Sequence, residues 1–179
     1  MARLPYPEPE ALDEPTRQLL QKLPTANLFR MVSHAQSALR PFVLLGDALL
    51  YRSELSPRLR ELSILRVGHL CSAPYEVFQH QAMAREVGLS EEKIAAAAVG
   101  LDAAGWEPTE QIVLRLVDEM VRQVRASDET FALAANVLSP RQLTELVMTI
   151  GYYAMVARIL ETLDVDQEAR QLLPGKRPT

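Results

Sequence analysis

This sequence predicts an all-α fold, and three observations carry the prediction. Nowhere do apolar and polar residues alternate with period two between turn signals, so there is no strand pattern. Leu and Ala dominate the 48% apolar share and aromatics make up only 6%, a balance that suits helices. Helix punctuation also recurs, with Ser-Pro at 56–57 and 139–140 and Gly at 88 and 100. A hydroxyl cap followed by Pro opens a helix, and Gly closes one.

Taken in order, residues 1–10 are Pro-rich and acidic and read as an extended arm. A short helix fits about Asp13 to Lys22, ended by Leu23-Pro24. Asn27 can cap the next helix, through Leu28, Met31 and Val32. Pro41 lies within the pattern that continues to Tyr51, so a kink or break is expected near Arg40. Ser56-Pro57 opens a helix over about 57–71 that is apolar on most sides, hence central. After Ser72-Ala73-Pro74 a helix runs to Val87 and stops at Gly88, and Ser90 opens another that ends at Gly100. Glu107-Pro108 leads into a helix to about Arg125, with Ile112, Leu116, Met120 and Val124 as its stripe. Ser127-Asp128 starts a shorter one to Val137. Ser139-Pro140-Arg141-Gln142 combines Pro at N1 with a capping box, and a long helix follows to about Leu163. The openings Leu55-Ser-Pro-Arg and Leu138-Ser-Pro-Arg echo each other, as in a duplicated bundle; chance recurrence of a good cap explains them equally well. The expected division is an arm with a short helix (1–24), a helical domain (25–165) and a tail (166–179).

A formal charge of −4 with scattered basic residues argues against a nucleic-acid surface, which needs clustered Lys and Arg. The single cysteine, Cys71, excludes an intrachain disulfide and a Cys-only metal cluster. The N-terminus lacks the apolar core of a signal peptide. Leu146–Ala157, the longest apolar run, is about 12 residues, short of the roughly 20 that span a bilayer. The expectation is a cytoplasmic protein that binds neither membrane nor nucleic acid.

The chemistry concentrates between Glu61 and His80. Glu76 and His80 stand i, i+4, about 5–6 Å apart at Cβ on one helix face, and Met83, Ala84 and Val87 continue that face. Ionisable groups there cost several kcal/mol unless paired or functional. Glu61 lies on a stripe with Leu65, Gly68 and Ser72, on a helix joined to the next by two or three residues. Gly68 in mid-helix permits close approach of another element. Glu61 is therefore expected to converge on the pair.

The run Arg60-Glu61-Leu-x-Ile-Leu-Arg-Val, then Tyr75-Glu76-x3-His80, then Ala84-Arg85-x2-Gly88-Leu89-Ser90-x-Glu92-x-Ile94 resembles the carboxymuconolactone decarboxylase-like family. Asn27-Leu-Phe-Arg-Met31, Glu119-Met-Val121 and Gly151-x-Tyr153-x-Met155-x-Ala157-Arg158 extend the likeness over about residues 27–165. The resemblance implies the helical fold of alkyl hydroperoxidase D-type proteins and assembly as a homotrimer or homohexamer. In the hydroperoxidase branch, aligned on His80, two cysteines would stand at Ala73 and Glu76. This chain has neither, and Cys71 has no partner, so a dithiol cycle is chemically excluded. Glu61 matches that branch's acidic residue, and Glu76 with His80 matches the decarboxylase-like branch.

Read this way, His80 is a general acid/base, Glu76 fixes its tautomer, and Glu61 relays or orients. The bland alternatives are a core or interface histidine satisfied by Glu76, a helix-dipole role for Glu76, and a salt bridge from Glu61 to Arg58 or Arg66. Tyr75, Cys71 and Tyr153 are candidate substrate-binding residues; Tyr152 also belongs near that pocket. His34 and His69 read as structural or interfacial. No His pair at i, i+4 and no His-Glu-x-x-His pattern occurs, so neither metal nor cofactor is expected. The expected function is a cofactor-independent, decarboxylase-type enzyme for a small carboxylated molecule. The alternatives are peroxide-linked antioxidant activity through Cys71 alone and a non-catalytic oligomeric binding protein.

Overall fold

The computed structural model describes residues 1–172. Among them, regular structure is helical throughout: α1 (Glu14–Leu20), α2 (Asn27–Val32), α3 (Gln36–Tyr51), α4 (Pro57–Leu70), α5 (Pro74–Glu86), α6 (Glu91–Val99), α7 (Pro108–Gln123), α8 (Asp128–Val137) and α9 (Pro140–Leu163). The all-α prediction holds.

The predicted punctuation sets most of the ends. Asp13, Ser90 and Ser127 accept backbone N–H groups at their helix starts, and Ser139 with Gln142 closes a full capping box. Gly88 and Gly100 adopt φ of +83° and +80°, conformations that L side chains resist. Three details differ. Ser56 occupies the cap position of α4, but its hydroxyl makes no capping bond. Asn27 is the first helical residue of α2, and its side chain donates instead to the Asp166 carbonyl at 2.9 Å. The break expected near Arg40 falls at residues 33–35, and α3 runs on through Pro41. Breaking there puts the carbonyl that the Pro41 ring would crowd, four residues back, into the opening turn of α3.

Helix α4 is the hub, packed against α5, α6, α7 and α9. Every residue from Arg60 to Gly68 is buried. Leu62 and Leu65 face a cluster with Val77, Ile94, Trp106 and Leu114. Ile64 and Val67 face a larger one with Leu116, Leu146, Ile150 and Tyr153. Each such aliphatic side chain contributes about 1.5–3 kcal/mol by burial. Being surrounded, α4 also buries Arg60, Glu61, Ser63 and Arg66, which must find partners inside. Ser63 donates to the Arg60 carbonyl at 2.7 Å. Arg66 forks onto Asp118 at 2.6 and 2.8 Å and caps the carbonyls of Ala97 and Ala98. Gly68 lies close against α5: a Cβ there would stand 2.8 Å from Val77 Cγ2.

Helix α9 is 24 residues long and, among the described residues, the one helix long and apolar enough to cross a membrane. Of its most apolar stretch, 56% is buried in the fold, so α9 serves as a core helix here. The N-terminal arm lies against the end of α9: Arg3 N donates to the Leu163 carbonyl at 2.9 Å, and Tyr6 donates to Asp166 at 3.2 Å. Of the expected tail, Glu168, Gln171 and Leu172 bond to α5; 173–179 fall outside the described residues.

Candidate active site

Glu61 is the most enclosed carboxylate of the site, with no exposed surface. Its Oε1 accepts from Arg60 Nε at 3.0 Å and its Oε2 from His80 Nδ1 at 2.8 Å. The short linker between α4 and α5 and the absent side chain at Gly68 let the helices approach closely enough for this contact. His80, only 7% exposed, stands edge-on to Tyr153 of α9, with ring centroids 4.8 Å apart at 87°. Its tautomer follows from the partner: Glu61 accepts at Nδ1, leaving Nε2 to carry a lone pair or a transferable proton.

Glu76 does not pair with His80, contrary to expectation. It is 2% exposed, and neither carboxyl oxygen finds a hydrogen-bond partner among the described residues. Burial, and secondarily the charge of Glu161, pushes its pKa well above the ordinary carboxylate range. Burial of this kind favours the protonated form over the charged one. The i, i+4 spacing held, but facing α4 proved decisive: Glu61 reaches the imidazole first, while Glu76 sits beside Gly68, its Oε1 3.4 Å from where a Cβ would be. Glu61 pairs with neither Arg58 nor Arg66; those arginines go to Glu110 and Asp118.

The structure sorts the other candidates. Tyr153 is buried, and burial followed by the Glu61 charge holds its phenol strongly protonated. Tyr152 donates to the Phe42 carbonyl at 3.1 Å and packs against Tyr153 at 5.3 Å. Tyr75 is not a free pocket hydroxyl, because it donates to Glu168 at 2.8 Å. Cys71 caps the end of α4, half-buried, and burial raises its thiol pKa. His34 bonds the Pro5 carbonyl at 2.8 Å. Among the described residues no group of three or more His, Cys, Asp or Glu is placed to hold a metal.

An open cleft of about 470 Å³ lies at the elbow between α4 and α5, lined by Gly68, His69, Ser72, Val77, Phe78, Gln81 and others. A second, of about 380 Å³, runs along α9 past Gly151, Met155 and Arg158. None of Glu61, Glu76 and His80 lines either cleft. Glu61 and His80 do form one hydrogen-bonded unit, and neither oxygen of Glu76 bonds to it. Two residues escaped the sequence reading. Arg60 was visible beside Glu61, and its place in a fully buried run was the available signal. Glu168 lay in the tail with no pattern to mark it.

Residues 36–119 match the family model described as the carboxymuconolactone decarboxylase family. That segment contains Arg60, Glu61, Glu76 and His80, while Tyr153 and Glu168 lie outside it. No curated protein matches the chain by sequence. Among solved structures, the chain resembles an alkylhydroperoxidase AhpD core, an uncharacterized peroxidase-related protein from Ralstonia eutropha JMP134. The TM-score is 0.79 at 19% identity, covering 94% of this chain and 93% of that one. An uncharacterized peroxidase-related protein from Silicibacter sp. TM1040 superposes at 0.81 with 16% identity, over 94% and 92%. A protein of unknown function from Agrobacterium tumefaciens gives 0.72 at 20%, over 78% and 96%. At these identities the likeness establishes the fold.

Proposed function

We propose, from the premise that residues 36–119 belong to the carboxymuconolactone decarboxylase family, that this chain is a cofactor-independent acid–base enzyme acting on a small carboxylated molecule. The observation that carries the reading is the buried Arg60–Glu61–His80 chain of contacts, at 3.0 and 2.8 Å. Arg60 clamps one oxygen of Glu61 and leaves the other to hold the imidazole, so His80 is presented in one orientation. In loss of carbon dioxide from an unsaturated lactone carboxylate, the bond to the carboxylate carbon breaks. Its electron pair passes into the conjugated system as a dienolate, and a proton must reach carbon. His80 Nε2 delivers that proton, and Glu61 stabilises the imidazolium from which it departs. Glu76, buried and without a hydrogen-bond partner among the described residues, does not take the tautomer-fixing role first expected of it.

The test is His80→Gln, assayed for carbon dioxide release from unsaturated lactone carboxylates. Turnover should fall by about 100-fold to 10,000-fold, with circular dichroism and assembly size unchanged. Full activity in the variant refutes the reading. Dissociation or unfolding of the variant instead supports a non-catalytic interface role. The peroxide alternative requires a thiolate at Cys71, and burial of that thiol works against it. Self-association as a homotrimer or homohexamer belongs to the same proposal. Exposed apolar side chains on α9 (Val147, Met148, Met155) support it, and sedimentation of the purified chain tests it.

A further inference from the structure

The segment after α9 has no regular structure, yet it is held to α5 more firmly than its sequence suggests. Glu168 Oε1 accepts from Asn27 N at 2.6 Å and from Tyr75 Oη at 2.8 Å. Its Oε2 accepts from Gln79 Nε2 at 2.8 Å. Two further bonds fix the same strap: Gln171 Nε2 donates to the Phe78 carbonyl at 2.6 Å, and Leu172 N to Gln79 Oε1 at 2.8 Å. The two α5 side chains bound by Glu168 each directly precede a site residue, Tyr75 before Glu76 and Gln79 before His80. Tyr75 and Gln79 stand i, i+4 on one face of α5, and Glu76 and His80 on the adjacent face, about 100° round.

We propose that Glu168 is a positioning residue for the Glu61–His80 pair, setting the rotation of α5 about its own axis. Holding one face of a helix at two points a turn apart leaves the other face no freedom to roll. The imidazole lies about 6 Å from the helix axis, so a roll of about 10° displaces it by about 1 Å. That displacement breaks a 2.8 Å contact, because N–H···O bonds weaken beyond about 3.2 Å. A misplacement of about 1 Å can cost about a hundredfold in rate. A glutamine cannot substitute, because the three donors meet two carboxylate oxygens and an amide offers only one acceptor atom.

The test uses the full chain carrying Glu168→Gln, with Glu168→Asp as the conservative variant. Its principal readout is His80 itself, followed by NMR of histidine-labelled protein, which needs no substrate. In Glu168→Gln the Nδ1 proton resonance should broaden into solvent exchange, and the imidazole nitrogen shifts should move, because the 2.8 Å contact to Glu61 is lost. Glu168→Asp should recover part of both effects. The activity readout rests on the acid–base function proposed above: kcat should fall about tenfold or more, with KM little changed. Should Glu168→Gln not fold, Tyr75→Phe keeps the ring, removes one strap bond and carries the same NMR readout. Unchanged His80 proton and nitrogen resonances overturn the proposal, even if melting temperature drops, because the strap would then be structural only. If no substrate is turned over by wild type, the acid–base function fails while the NMR result still decides the role of Glu168.

Discussion

Replacing Glu76 by Gln should remove a pH dependence of stability that the wild-type chain carries. Glu76 is 2% exposed, and neither oxygen finds a partner among the described residues. Burial raises its folded-state pKa well above the ordinary 4.5. The unfolded chain, free in water, releases the proton near the ordinary value. Between those two values the native state holds one proton more than the unfolded state, so stability falls as pH rises. This contribution is whole below the unfolded value and is lost progressively up to the folded one, at about 1.4 kcal/mol per pH unit. Gln has nearly the same shape and no ionisation, so Glu76→Gln should lack that slope. Urea unfolding of both proteins at about pH 5, 6 and 7 isolates the residue, because every other titrating group is common to the two. The stability difference should move in favour of the variant as pH rises above the unfolded-state value. Parallel stability curves would refute the picture of a sealed, proton-bearing carboxyl.

The remaining predictions concern its neighbours. Arg60→Met removes the clamp on a fully buried carboxylate and should destabilise the fold by about 3 kcal/mol, read as a lower urea midpoint; no loss would mean that Glu61 does not depend on Arg60. Gly68→Ala would place a Cβ 2.8 Å from Val77 Cγ2. The overpacking penalty of about 1–3 kcal/mol should outweigh the gain of about 1 kcal/mol in helix propensity. A more stable variant would show that α4 and α5 can separate freely. Cys71, with its thiol pKa raised by burial, should label with a maleimide at pH about 7 more slowly than a free cysteine peptide. Faster labelling than the peptide would return the peroxide alternative to the fore.

Which residues become helix, and where most helices stop, is a local matter. A Ser hydroxyl before Pro140, a glycine at 88 or 100, and the apolar run of α4 each act through bonds or sterics within a few residues. They were therefore legible in the chain itself, as was the close approach at Gly68. The identity of the partner of His80 was not. The spacing of Glu76 and His80 settles only that their Cβ atoms are neighbours, whereas a hydrogen bond depends on the roll of α5 against α4. That roll is decided by packing around Gly68 and by a carboxylate from the far end of the chain, Glu168, whose bonds to α5 and α2 span 89 to 141 residues of sequence. Burial then divides the two glutamates chemically: Glu61, given two donors, anchors the imidazole, and Glu76, given none among the described residues, has its pKa pushed up. Local pattern writes the helices, and only the meeting of distant segments in a water-poor interior assigns the charges.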